Sequence, residues 1–292
     1  MKIVNVIGGL GNQMFQCAFA IALRETNHDE VKLDTSHFNG YGLHNGFEIK
    51  TIFDYPLEIA CKEELKKLTY YIPNYKLSRI ARRILPKRKT EYLEPYQLSY
   101  LYDHNALSIK GDCYFEGYWM CADFFTFCKD KIIEAFKFKP FSTDINKEYA
   151  KLLASENSIT IHIRRGDYLT AKNFVNICTL DYYRKAITKA KTKIANPEFF
   201  IFSNDQEWCI ENLKEEFRNA TVHFVANNKG KESYRDMQLM SLARCNILAN
   251  SSFSWWGAFL NNRKNQIVYV PHRWVNNLDD RDAYADNWIK IE

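Results

Sequence analysis

Ile159 to Tyr168 reads I-T-I-H-I-R-R-G-D-Y, and its first half alternates. Ile159, Ile161 and Ile163 lie on one side, Thr160, His162 and Arg164 on the other. Period-two alternation with β-branched residues predicts a strand, so His162 and Arg164 share a face at its end. Gly166 then lets the chain turn sharply. A strand that runs into Arg164, Arg165, Gly166 and Asp167 puts its polar groups at a carboxyl edge, where open α/β sheets bind ligands. Arginine suits that place because its planar fork grips phosphate oxygens in pairs and keeps its charge. The blander alternative is a surface turn with two solvated arginines and Asp167 as an ordinary turn residue.

Downstream the rhythm is regular. Strands are predicted at 159–163, 198–202, 221–225, 246–249 and 266–270, with helices at 181–193, 206–218, 233–243 and, shorter, 255–260. Strand alternating with helix predicts a parallel sheet covered on both faces. Three strand ends carry polar clusters: His162 with Arg164 to Asp167, then Ser203-Asn204-Asp205, then Asn250-Ser251-Ser252. In a parallel sheet these ends fall on one edge, and three convergent clusters make a site.

Upstream, Ile3 to Ile7 predicts a short strand, Gly8-Gly9-Leu10-Gly11 a turn, and Asn12 the N-cap of a helix from Gln13 to about Arg24. That helix is apolar almost all round, which predicts burial. The turn departs from the dinucleotide fingerprint, since Met14 stands where a third glycine belongs and only Asp34 supplies the later acid. Gly9, Gly11, Asn12 and Gln13 can still line a ligand, with the two amides facing sugar hydroxyls; an ordinary tight turn is the alternative. Helices are predicted at 62–68, 77–85 and 122–136, and the aromatic run 114–119 reads as core. Pro140 to Asp144 is the linker candidate, giving domains 1–145 and 146–292.

Of the 292 residues 46% are hydrophobic and 26% charged, enough for one large or two ordinary domains. Eight cysteines show no C-x-x-C pair and no zinc spacing. With Met1-Lys2 running straight into a strand and no long apolar stretch, a cytoplasmic protein is expected. Net charge is +5, but Lys76 to Lys89 holds seven basic residues and no acid, leaving 33 basic against 35 acidic elsewhere. A broad nucleic-acid surface is therefore not expected. Leu77, Ile80, Ala81, Ile84 and Leu85 fall on one face of that segment. Such a stripe packs on its own domain, or else the basic amphipathic helix makes peripheral contact with an anionic membrane.

The strand-end clusters suit a nucleoside diphosphate. Arg164 or Arg165 would neutralise its phosphates, and Ser251-Ser252-Phe253-Ser254 opens a helix whose N–H groups and dipole favour anions. Asp205 could accept from guanine's ring N–H and amino group.

G-G-L-G-N-Q-M-F-Q (Gly8 to Gln16), H-I-R-R-G-D-Y (His162 to Tyr168) and N-S-S-F-S-W-W-G-A (Asn250 to Ala258) resemble the signature blocks of glycosyltransferase family 11, the GDP-fucose-dependent α-1,2-fucosyltransferases. The resemblance implies two Rossmann-like α/β domains facing across a cleft, the GT-B architecture, acceptor-side first and donor-binding second. It implies inverting transfer of L-fucose from GDP-fucose to the 2-hydroxyl of a terminal galactose on an oligosaccharide, without metal or other cofactor. By that likeness Arg164 holds the β-phosphate, His162 and Asp205 border the nucleotide, and Ser251 to Ser254 hold diphosphate oxygens. One departure is Met120, where the family often has glutamine after G-Y-W. Asp167 is the nearest carboxylate for a base, and equally a brace for the arginines. Asp280-Arg281-Asp282 has a metal-binding D-x-D form, read here as a solvated loop. A carbohydrate-binding module would explain the aromatic residues but not the arginine and serine clusters. A nucleotide-sugar hydrolase would explain the clusters, although no P-loop is present.

Overall fold

The computed structural model describes residues 1–292 and divides after Lys139 into two units, with Arg281–Ala283 clustering with the first. The division precedes the expected 145/146 boundary because the helix at Asp144–Leu153 packs on the second sheet.

Unit 1 alternates short strands and helices. Its elements are β1 (Lys2–Asn5), α1 (Leu10–Asn27), β2 (Val31–Asp34), α2 (Ile49–Ile52), α3 (Lys62–Leu68), α4 (Tyr75–Ile84), β3 (Glu91–Leu93), α5 (His104–Ser108), β4 (Cys113–Glu116) and α6 (Lys129–Ala135). The strands form a parallel sheet in the order β2-β1-β4-β3. α1 is buried nearly all round, as its composition predicts. It begins earlier than expected: Gly9 is the N-cap and Asn12 lies inside the first turn. Gly8 makes this possible, because its φ of +100° is a conformation that a side chain would strain. The segment 122–136, expected as one helix, is two 3₁₀ turns leading into α6.

Unit 2 contains α7 (Asp144–Leu153), β5 (Ser158–Ile163), α8 (Leu180–Lys193), β6 (Glu198–Ser203), α9 (Gln206–Leu213), β7 (Thr221–Val225), α10 (Tyr234–Met240), β8 (Cys245–Ile247), α11 (Ser252–Phe259), β9 (Ile267–Pro271) and β10 (Ile289–Ile291). All six strands are parallel in the order β10-β9-β8-β5-β6-β7. The chain starts at β5, builds outward to β7, then returns to the other side of β5. Neighbouring connections therefore leave in opposite directions at β5 and β8, the switch point where such sheets open a crevice. Every residue of β5 is buried, as both faces are covered. Ile159, Ile161 and Ile163 pack with Tyr183, Ile187 and Leu213 on one face, while Phe200 and Phe202 meet Leu239 and Met240 on the other. Thus each unit is a parallel, helix-covered Rossmann-like sheet. No helix is long and apolar enough to cross a membrane.

Gln16 holds two strand ends of unit 1 together. Its Oε1 accepts from Ile7 N–H and its Nε2 donates to the Gly117 carbonyl, both at 2.9 Å, with the side chain fully buried. Gln16→Leu keeps the bulk and strands both backbone groups, so unfolding free energy measured in urea should fall by about 3 kcal/mol. A loss under about 1 kcal/mol would mean water or another group takes over both bonds.

Candidate functional site

The carboxyl edge of unit 2 gathers the predicted polar residues. β5 ends at Ile163, and Gly166–Leu169 forms a 3₁₀ turn entered through Gly166 at φ +40°. Glycine is needed there on a second count: a Cβ would lie 2.6 Å from Asn204 Nδ2. Asn204 reaches in because its Oδ1 accepts from the Arg165 N–H at 2.9 Å. The β5 turn is thereby fastened to the end of β6.

The two arginines have different surroundings. Arg165 donates from Nε to Asp205 Oδ2 at 3.0 Å and lies 4.1 Å over the Trp208 ring. Asp205 Oδ1 also accepts from the Trp208 N–H, capping α9. Both Asp205 oxygens thus serve the fold, a commitment that its expected guanine contact did not include. Arg164 instead ends in a partly exposed guanidinium, paired through Nη2 with Asp167 Oδ1 at 2.9 Å and set 5.6 Å over the Tyr168 ring. Asp167 is therefore a brace for Arg164 in this structure. Tyr168 itself stacks on Phe174 at 4.9 Å. Burial pushes its phenol up to about 12.

His162 sits beneath this turn with its ring 5.9 Å from Phe253. The ring is buried, its Nδ1 has no hydrogen-bond partner, and burial together with Arg164 pulls its pKa down to about 3. A neutral imidazole with an orphaned nitrogen is costly unless something binds it. Ser251 Oγ caps α11 by accepting from the Phe253 N–H. Ser252 and Phe253 are partly exposed in the first turn. Ser254 departs from expectation: it is fully buried, with its hydroxyl directed at the carbonyls of Ala249 and Ser251. Packing explains the rest of this block. Trp255 and Trp256 are core, and Gly257 lets α11 approach Met240, where a Cβ would come within 2.9 Å. The helix starts at Ser252 rather than the expected 255.

Sequence reasoning missed Asp236, in the first turn of α10. Its carboxylate accepts from Asn228 Nδ2 at 2.7 Å, just beyond the end of β7, and no ion pair reaches it. Burial raises it to about 7. The only sequence signal was an acid opening a helix after an Asn-Asn pair. Asp280 and Asp282 are turned to backbone duty: Asp280 accepts from Trp274 and Val275 N–H, Asp282 from Tyr102 N–H. They are thus hydrogen-bonded anchors within a loop that stays partly exposed, as expected.

In unit 1, Gln13 does not present its amide to a ligand. It is fully buried, donates to the carbonyls of Gly8 and Gly46, and accepts from Glu48 N–H. Gly11 is buried inside α1, whereas Gly9 and Asn12 retain partial exposure. At the end of β2, Asp34 accepts from Ser36 N–H and Tyr114 O–H. It borders an open pocket of about 370 Å³ shared with His37, Tyr70, Arg82 and Tyr114. Beside Met120, Glu94 accepts from the Tyr118 and Trp119 N–H groups, and burial raises its carboxyl to about 7.

His162 and Asp236 make opposite contributions to stability against pH. His162 is depressed in the fold from 6.5 to about 3, so its contribution is full above 6.5 and declines as pH falls toward 3. Asp236 is raised from 3.8 to about 7, so its contribution is full below 3.8 and is lost as pH rises through 7. Urea unfolding of wild type against His162→Gln and Asp236→Asn should give difference curves of opposite slope. Parallel curves would show that neither group is buried in the stated ionisation state.

The chain matches the model of glycosyl transferase family 11 over residues 1–292. It is similar to an Escherichia coli alpha-1,2-colitosyltransferase, 34% identical over 99% of this chain and 98% of that protein. It is also 31% identical to the Escherichia coli O-antigen biosynthesis glycosyltransferase WbnK, over 97% of this chain and 98% of the other. Among solved structures, a mutant of Arabidopsis thaliana FUT1 in complex with GDP aligns with a TM-score of 0.51 at 12% identity, over 96% of this chain and 72% of that one. That likeness concerns the fold, of the GT-B type. The match over residues 1–292 makes the chain a member of glycosyltransferase family 11.

Proposed function

We propose that this glycosyltransferase moves L-fucose from GDP-fucose to the 2-hydroxyl of a terminal galactose, with inversion and without a metal. The observation that supports this most is the switch-point edge of unit 2, where Arg164 follows a buried, unpartnered His162 whose ring meets Phe253 in the first turn of α11. Charge develops on the β-phosphate as its oxygen leaves the sugar C1. Arg164 neutralises it, Asp167 and Tyr168 hold the guanidinium, and the amides of Ser252 and Phe253 receive the remaining oxygens. The acceptor oxygen forms the new bond to C1 from the opposite face. Its proton passes to the departing diphosphate, since Asp167 is paired with Arg164.

Asp236 is the proposed reader of guanine, in place of Asp205. It is an acceptor-only group when ionised, and guanine's ring N–H and amino group offer the donors that stabilise that form. Unit 1 is the proposed acceptor side. Metal independence is argued from the positive charge that Arg164 and the helix terminus supply, and from the backbone bonds of Asp280 and Asp282. A second reading has the same chemistry with a colitosyl donor, favoured by the 34% identical colitosyltransferase.

Incubation with each GDP-sugar and a β-galactoside in EDTA separates the two donors; no transfer from either removes the whole reading. Arg164→Ala should lower kcat on the order of a thousandfold, with little rescue in Arg164→Lys because the fork is lost. Asp167→Asn should cost less than about a hundredfold, the lower bound for losing a general base. A larger loss with wild-type Km would make Asp167 the base. Calorimetry of GDP binding should show Asp236→Asn weakened more than Asp205→Asn, and the reverse order would return guanine to Asp205.

A further inference from the structure

Helix α4 is turned the wrong way for a helix that serves only its own domain. Leu77, Ile80 and Ile84 form one stripe, and they are 58%, 54% and 75% exposed. Leu85, just past the helix, is exposed as well. The inward face is polar: Ser78 is buried, and Arg82 reaches Glu91 and Glu116 at 2.8 Å each. The expectation that the apolar stripe packs on its own domain is therefore overturned. Ion pairs with two carboxylates of the sheet supply the docking that apolar contact would otherwise give.

The charge around the stripe is all of one sign. Lys76, Arg79 and Arg83 are exposed on the same helix, with Lys87 and Lys89 following, and no acid lies between Lys76 and Lys89. Arg88 is tied to the carbonyls of Lys66, Lys67 and Thr69, which anchors the far end of the segment. Asn74 caps the near end by accepting from Leu77 N–H. The stripe is thus held outward on an ordered helix. A second copy of the chain would bring the same cations face to face across the apolar contact. An anionic bilayer satisfies both features: the aliphatic side chains enter the acyl boundary while the cations stay among the phosphates.

We propose that α4 docks unit 1 on an anionic lipid surface, with Leu77, Ile80 and Ile84 inserted and Lys76, Arg79 and Arg83 at the headgroups. This is independent of the sugar chemistry, because docking needs neither donor nor acceptor. The full-length protein is sedimented with phosphatidylcholine vesicles, with and without phosphatidylglycerol, at low and high salt. Binding to the anionic vesicles should exceed that to neutral ones by about tenfold or more at low salt and fall at high salt. The triple change Lys76→Gln, Arg79→Gln, Arg83→Gln should lower partitioning roughly a hundredfold. Leu77→Ser, Ile80→Ser, Ile84→Ser should also abolish stable binding, and because these side chains are exposed both variants should keep the wild-type Tm. Negligible pelleting with both lipids overturns the proposal. So does a serine variant that binds like wild type, which would reduce the effect to unspecific charge. A dimer in sedimentation velocity that the serine variant dissolves would assign the stripe to a second copy instead.

Discussion

The Arg165–Asp205 pair, covered by Trp208, is the contact on which the carboxyl edge of unit 2 depends. Two adjacent arginines cannot both point at one anion from a tight turn without backbone support. Arg165 supplies that support by stacking on Trp208 and bonding a carboxylate that also caps α9. Its own N–H is taken by Asn204, which in turn occupies the space left by the missing side chain of Gly166. With one arginine fixed inward, the other is directed outward, and Asp167 and Tyr168 limit its motion. The pair lies partly in solvent, so its Coulomb energy is modest. Its value is geometric: it converts a run of polar residues into one oriented cation. Asn204 and Asp205 thus fasten the end of β6 to the β5 turn, and His162 meets Phe253 of α11 at 5.9 Å beside it.

The second half of the fold was legible because its strands alternate with amphipathic helices, and the periods differ enough to separate them. β5, β6 and β7 lie within a residue of their expected bounds, and α8 begins one residue early. In unit 1 only β1, α1, α3 and α4 were legible with any accuracy. β2, β3 and β4 are three or four residues long, too short for alternation to be visible, and their neighbours are irregular. Their partners are distant in sequence, as with β4 lying beside β1. Such pairing is fixed by tertiary contact, which local pattern does not encode. The same limit explains α11: N-S-S-F-S reads as loop chemistry, yet Ser252 already belongs to the helix because Ser251 caps it.

The residues that carry the family likeness divide into two physical kinds. Some face outward at strand ends, such as Arg164 and the first turn of α11. Others are buried polar groups with every bond satisfied inside, such as Gln13, Gln16 and Ser254. A sequence motif does not separate them, because an amide that braces a glycine turn and one that grips a sugar are the same residue. Burial separates them. Gln16 ties Ile7 to Gly117, so the glycine turn is held rigid by groups that never meet solvent. The reverse case is His162, buried to a similar degree but with Nδ1 unsatisfied.

Helix α4 shows where the reading of amphipathicity needs a second term. The helical spacing of its apolar residues was correct, but the inference that an apolar face turns inward was not. Apolar residues prefer burial, yet a face is chosen by the sum of its contacts. On the other side of α4, Arg82 meets Glu91 and Glu116, two carboxylates on neighbouring strands. Turning the stripe inward would leave Glu91, whose side chain is fully buried, with no cation against it. Removing one member of a buried charge pair costs about 3–5 kcal/mol, the same order as burying two aliphatic side chains at about 1.5–3 kcal/mol each. Apolar burial alone therefore does not fix the orientation, and in this structure the charged face is the one held while the stripe stays outside. A sequence shows which residues share a face; only the position of Glu91 and Glu116 on the sheet shows which face is held.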